Sequence, residues 1–233
     1  MRTIGLLGGM SWVSTGHYYQ VINADVAARL GGDHCASLML WQTDFAQLTE
    51  LQRAGRWHEA GELLAVGATM LRDGGADIIA IGANTMHLVA QQVADAAAPA
   101  RLIHIVEVVR DECLRLGIRR LGLFGTAYTM ESPELFPPTL SAAGIEVMVP
   151  DAQLRAAIQR HTFDELIRDV VTDECRATFR MAGRSLIARG ADAVVLACTE
   201  HGMVLGDGDL TVPVLDSTVL HARALVDAAL TQA

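Results

Sequence analysis

Lysine is absent from this chain; all 18 of its basic residues are arginine. No side-chain amine is therefore available to hold pyridoxal phosphate as a Schiff base, or to act as the lysine of a phosphate-binding Walker loop. Positive charge is scarce in general, because 27 acidic residues leave a formal net charge of -9. That balance disfavours nucleic acid as a partner, although a local cluster of donors can still hold a small anion. Long apolar runs are also missing. None approaches the roughly 18 residues of a membrane helix, and the opening stretch is too short for a secretory signal, so a soluble cytoplasmic protein without a membrane partner is expected. The four cysteines form no CxxC, and the eight histidines form no HxxxH pair. No metal site is expected, and Cys35, Cys113 and Cys175 read as reduced, buried thiols. A GxGxxG fingerprint and the final glycine of a hydrolase elbow are absent too, which argues against a dinucleotide site and a serine hydrolase.

The chain is half hydrophobic, at 51%, and 19% charged, the composition of a globular protein with ample length for a buried core. Short apolar runs alternate with longer helix-period segments, the pattern of parallel sheets covered by helices. Strands are predicted at Thr3–Leu7, Ala36–Trp41, Ala76–Ile81, Leu102–Ile105, Leu121–Phe124, Glu146–Val149, Ala193–Ala197 and Val212–Leu215. Helices are predicted at Ser14–Leu30, Trp57–Gly74, Met86–Ala97, Val106–Leu116, Glu131–Ala143, Gln153–Arg168 and Asp173–Arg189, with a last one from Val219.

One sequence element occurs twice. Ala76-Asp-Ile-Ile-Ala-Ile-Gly ends in Ala83-Asn84-Thr85-Met86-His87, and Ala191-Asp-Ala-Val-Val-Leu-Ala ends in Cys198-Thr199-Glu200-His201. The offset is 115 positions. Ile4-Gly-Leu-Leu-Gly8 recurs as Leu121-Gly-Leu-Phe-Gly125, 117 positions later. Two matches at nearly one offset predict two similar α/β halves, each doubly wound around a four-stranded parallel sheet and related by a pseudo-twofold axis. We place the first at 1–100 plus 212–233, with the last helix folding back onto it, and the second at 101–211.

In open parallel sheets ligands bind outside the carboxyl ends of the strands. The expected site is a cleft between the halves, lined by Gly8–Ser11, Ala83–Thr85, Gly125–Tyr128 and Cys198–Glu200. Its amides, hydroxyls and helix N-termini suit a carboxylate. Only the second copy of the repeat carries a thiol, since Ala83 stands where the alignment puts Cys198. Thiolate formation at Cys198 would be opposed by a charged Glu200 and favoured by a following helix N-terminus or by His201. His17, His58 and His221 read as helix-surface residues, and Trp12, Trp41 and Trp57 as packing.

Taken together, Gly5-Leu-Leu-Gly-Gly-Met-Ser-Trp12, Tyr18-Tyr19 with Ile22-Asn23, Asp44-Phe45, Asn84-Thr85-Met86-His87, Gly125-Thr126, Cys198-Thr199-Glu200 and Pro213-Val-Leu-Asp216 resemble the aspartate/glutamate racemase family along nearly the whole chain. The resemblance implies a cofactor-independent isomerase acting at the α-carbon of a small dicarboxylic amino acid, and a homodimer. In the family two cysteines, one from each half, exchange the proton on opposite faces of that carbon. Here Ala83 departs from the pattern. Cys198 is then the acid/base, with Thr85, His87 or a held water serving the other face. For the substrate's polar groups the candidates are Met10 and Ser11 through backbone donors, and Gln52, Ala83, Asn84, Thr85, Thr126, Thr199 and Arg168. Arg168 competes with the plainer reading of a helical surface arginine. Glu200 suits the substrate ammonium. Two other functions are compatible: a single-thiol decarboxylase of malonate-type acids, and an amino-acid-binding protein without turnover.

Overall fold

Strands buried on both faces are written as continuous apolar runs, because helices cover the sheet on each side. In the computed structural model, which describes residues 1–231, four such runs form the centres of two sheets. The chain divides into two units, Met1–His104 with the segment from His221, and Ile105–Leu220.

In the first unit β1 (Ile4–Gly8), α1 (Trp12–Leu30), β2 (Leu38–Gln42), α2 (Phe45–Arg53), α3 (Trp57–Asp73), β3 (Ile78–Ile81), α4 (Ala90–Ala97) and β4 (Arg101–Leu102) follow one another. The strands pair in parallel in the order β2-β1-β3-β4. On one face of the sheet Leu7, Ile79 and Ile81 pack with Leu64, Ala68 and Leu71 of α3 and Val93 of α4. Fully burying each such leucine or isoleucine contributes about 1.5–3 kcal/mol. Helix α1 buries Tyr18, Ile22 and Val26, spaced four apart along one stripe. Between β1 and α1 the chain turns at Gly9, whose φ is +85° and where an added Cβ would lie 2.4 Å from the Thr43 carbonyl oxygen. Only glycine fits both conditions. Ser11 then caps α1 through a reciprocal bond with Ser14.

The second unit repeats this arrangement. Its elements are α5 (Ile105–Leu116), β5 (Arg120–Gly125), α6 (Ala127–Met130), α7 (Pro137–Ala142), β6 (Glu146–Met148), α8 (Ala152–Asp164), α9 (Asp173–Ala188), β7 (Ala193–Ala197) and β8 (Val214–Asp216), followed by α10 (Ser217–Leu230), which continues into the first unit. The sheet order, β6-β5-β7-β8, is that of the first sheet four strands later. Register repeats as well. Ile4 faces Ile78 across β1 and β3, and Leu121 faces Ala193 across β5 and β7, the partners that the two sequence offsets name.

Several expectations need correction. β8 pairs with β7, so residues 212–220 belong with the second unit rather than the first, and residues 101–104 belong with the first. From His221 the last helix does lie with the first unit, where Ala229 O accepts from Arg2 N and Arg29 pairs with Asp227. The helix expected over Glu131–Ala143 is broken; only Pro137–Ala142 is helical after α6, and the pair Pro137-Pro138 starts it. Helix α2 was not anticipated, although Asp44 caps it by accepting from Ala46 N. Trp12 is 65% exposed, because α1 turns Ser14, Thr15 and Tyr18 inward instead. Cys35 is exposed in the irregular segment before β2, while Cys113 and Cys175 are buried. Among the described residues no helix is long and apolar enough to cross a membrane.

A helical glycine at 67 is what lets α3 approach the sheet. A Cβ there would meet the Trp41 ring at 2.4 Å and Leu7 at 2.8 Å. Gly67→Ala should therefore destabilise the protein by about 1–3 kcal/mol through overpacking, although alanine is the better helix former. Urea unfolding checks this, and Trp41→Leu in the Gly67→Ala background should recover part of the loss.

Candidate active site

In the second unit the central strand β7 ends at Ala197 and the chain passes directly into Cys198-Thr199-Glu200. A 3-10 turn over His201–Met203 follows, closed by His201 N donating to Cys198 O at 3.0 Å. From β7 through His201 the chain is buried; Cys198 is 8% exposed and Glu200 3%. The thiol Sγ donates to Glu200 Oε2 at 3.1 Å, and the Thr199 hydroxyl donates to the same oxygen at 2.8 Å. Burial pushes the Cys198 thiol well above the ordinary range, and the Glu200 charge adds to the push. Backbone N–H groups of Thr199 and Glu200 pull the other way without prevailing.

The sequence left His201 as a group that could favour the thiolate, and the structure decides against that role. Thr162 Oγ1 donates to Ile158 O, so its oxygen accepts from His201 Nε2–H at 2.9 Å. Nδ1 is left as the unprotonated nitrogen, buried and without a hydrogen-bond partner, and the ring packs edge-on against Phe179. Burial lowers its pKa to about 3, so the ring is neutral and offers no positive charge to the sulfur.

In the first unit the matching strand β3 runs into Ala83 and Asn84, and a 3-10 turn spans Thr85–Val89. Ala83 lies in the apolar cluster with Ile81 and Met86 and has no group that takes or gives a proton. His87 is 4% exposed, and its Nδ1 bonds to Ala83 O at 2.8 Å. A carbonyl only accepts, so Nδ1 carries the proton. The ring stacks edge-on with His104 and His221, with centroids 4.5 and 5.9 Å away. Burial, then these two rings, hold His87 well below the ordinary histidine range. His221 is fully buried rather than on the helix surface. Its Nε2–H donates to Ile103 O at 2.9 Å, Nδ1 accepts from Tyr18 OH at 2.8 Å, and its pKa falls to about 4.

The remaining candidates divide into three kinds. Ser11 and Thr126 are N-caps placed just after the equivalent strands β1 and β5. Met10, Asn84 and Thr85 are buried at strand-end turns. Gln52 is buried on α2 and donates to Met86 Sδ at 3.1 Å. Arg168 is exposed and bonds to Asp164 O, as a surface arginine does. Asp216 was not singled out beyond its motif; its Oδ1 caps α10 at Thr218 N and Val219 N, while Oδ2 fills the space left by the missing side chain of Gly202. Among the described residues one group could hold a metal ion, His161, Glu165 and Cys175. Two of the three already bond within the protein, since His161 Nδ1 bonds to Glu165 Oε1 and Thr172 donates to Glu165 Oε2.

The fold is matched by solved structures of other proteins. The sequence fits the Asp/Glu/hydantoin racemase family over residues 7–225. The chain belongs to that family. A Yersinia pestis protein assigned as an Asp/Glu racemase is 38% identical, covering 99% of this chain and 100% of its own, with a TM-score of 0.91. An aspartate racemase homologue from Pyrococcus horikoshii is 28% identical over 98% of this chain and 99% of its own, with a TM-score of 0.83. A broad specificity amino-acid racemase of Bacillus subtilis is 26% identical over 163 residues, which is 69% of this chain and 68% of that protein. Family membership makes the protein an isomerase of the racemase type.

Neutral buried histidines have a consequence for stability. His201 and His221 take up protons at about 3 and about 4 in the folded chain, against roughly 6.5 when unfolded. Between pH 6.5 and these values the unfolded chain binds more protons, so stability falls with acidification by up to about 1.4 kcal/mol per pH unit for each ring. Unfolding by urea should show this loss beginning below pH 6.5. His221→Gln should flatten the slope down to about pH 4.

Proposed function

We propose that the protein is a cofactor-independent racemase of aspartate, glutamate or a close analogue, in which Cys198 moves the proton at Cα. The observation that carries the reading is the buried strand-end thiol donating to Glu200, on a chain that matches a racemase family almost throughout. Without lysine the protein cannot form its own Schiff base with pyridoxal phosphate, which agrees with a cofactor-free route. Asn84, Thr85, Thr126 and the backbone at Met10 and Ser11 are the proposed carboxylate ligands. The same reading includes a cytoplasmic homodimer, and light scattering on the purified protein checks the dimer.

Racemisation needs an acid/base on each face of Cα. Cys198 serves one, and Ala83 cannot serve the other. The other face falls to Thr85, His87 or a held water; His87 Nδ1 gives its proton to Ala83 O, so only Nε2 could accept one, and burial makes that ring a weak base. Loss of a general acid or base costs about 10² to 10⁴ in rate, so turnover should be slow.

The same asymmetry favours a second reading, decarboxylation of a malonate-type acid. There the carbanion arises by loss of CO₂, and one protonated thiol suffices to complete the product.

Incubation in D₂O with each enantiomer of aspartate and glutamate, followed by NMR and chiral chromatography, tests the assignment. Deuteration with inversion is expected, and Cys198→Ala should reduce it by at least about 10². Exchange without inversion, or loss of CO₂ from a malonate analogue, would support the second reading. Binding without any exchange would mark a protein that holds amino acids only. Ala83→Cys should restore a second acid/base and raise the racemisation rate by about 10² or more. No gain would show that position 83 does not face the reacting carbon.

A further inference from the structure

Two donors meet on one oxygen at the end of β7. The Cys198 thiol reaches Glu200 Oε2 at 3.1 Å and the Thr199 hydroxyl reaches it at 2.8 Å, with all three residues buried. We infer that Glu200 is a positioning residue that keeps the resting Cys198 in its thiol form, with Thr199 fixing the carboxylate. This rests on the racemase-family reading for its place in a cycle, but it concerns the resting proton and can be measured without turnover.

Three observations converge on it. A carboxylate oxygen accepts and does not donate, so the bonding pattern leaves the hydrogen on sulfur. Ionising the sulfur would set two negative charges about 3 Å apart out of water, the arrangement in which paired acids share a single proton. The adjoining His201 ring supplies no compensating charge, being neutral with its Nε2–H given to Thr162. The bonds from Cys198 and Thr199 commit Oε2 to the turn, so a substrate ammonium held by Glu200 would meet Oε1.

The resulting step balances simply. A carbanion at Cα takes the thiol proton; the S–H bond breaks, the C–H bond forms, and the bonding pair stays on sulfur as thiolate. That thiolate, beside Glu200, regains a proton from solvent.

Ultraviolet absorbance of the thiolate, recorded for the intact protein between pH 6 and 11 with Cys198→Ser subtracted, isolates this group from Cys35, Cys113 and Cys175. The wild-type midpoint should lie above the roughly 8.5 of a free cysteine. Glu200→Gln removes the charge and should lower the midpoint by at least about one pH unit, a tenfold larger thiolate fraction near neutrality. Glu200→Asp keeps the charge and should stay close to wild type. Thr199→Val, which frees the carboxylate to move, should lie between wild type and the glutamine variant. A wild-type midpoint at or below 8.5 overturns the inference outright, even if the glutamine variant fails to fold. So does a folded Glu200→Gln protein with an unchanged midpoint. Absence of racemisation with these titrations as expected would instead count against the proposed activity and leave the role of Glu200 standing.

Discussion

A hydrogen bond from a buried thiol to a carboxylate, at the point where a central strand stops, is the interaction on which the account turns. Water would ordinarily screen Cys198 from Glu200, and exposure would let the thiol ionise near its usual pKa. Neither happens, because β7 is buried along its length and so are Cys198 through His201 after it. The sheet sets the dryness, and the dryness sets the sulfur's resting proton.

Duplication gave both units the same strand order, register and capped turns, but it did not give them the same chemistry. The turn after β3 contains Ala83, Asn84 and a histidine whose proton is spent on the Ala83 carbonyl. Behind it His221 and Tyr18 complete a neutral polar chain that ends on Ile103 O. In the first unit, then, these bonds hold a turn in place. The second unit is built to hold a proton. The division agrees with a family whose members exchange a proton at one carbon, and it explains why a single thiol here need not behave like one of a symmetrical pair.

Much of this could be read from residues alone where burial leaves little choice. Strands β1, β3, β5 and β7 lie in the middle of their sheets, and their apolar runs and the two offsets located them and their pairing. Edges were harder. β4 shrinks to Arg101–Leu102 because one neighbour and a short tether define it. β8 was given to the wrong unit, although the repeat itself assigns it, since β8 stands in the second sheet where β4 stands in the first. His221 was read as exposed because α10 has no clean polar face; Ala222, Leu225, Val226 and Ala229 are buried alongside it. The hydrogen bond of Cys198 to Glu200 was out of reach. A spacing of two residues allows a carboxylate either to repel a thiolate or to accept from a thiol, and only the side-chain geometry after the strand decides.

The sulfur's resting proton is therefore the quantity to observe directly. An infrared difference spectrum at neutral pH, wild type minus Cys198→Ala, should contain an S–H stretching band shifted to lower frequency than that of the exposed Cys35, as expected for a thiol donating to a carboxylate. A spectrum without an S–H band from Cys198 would mean a preformed thiolate, and would contradict the account at its base.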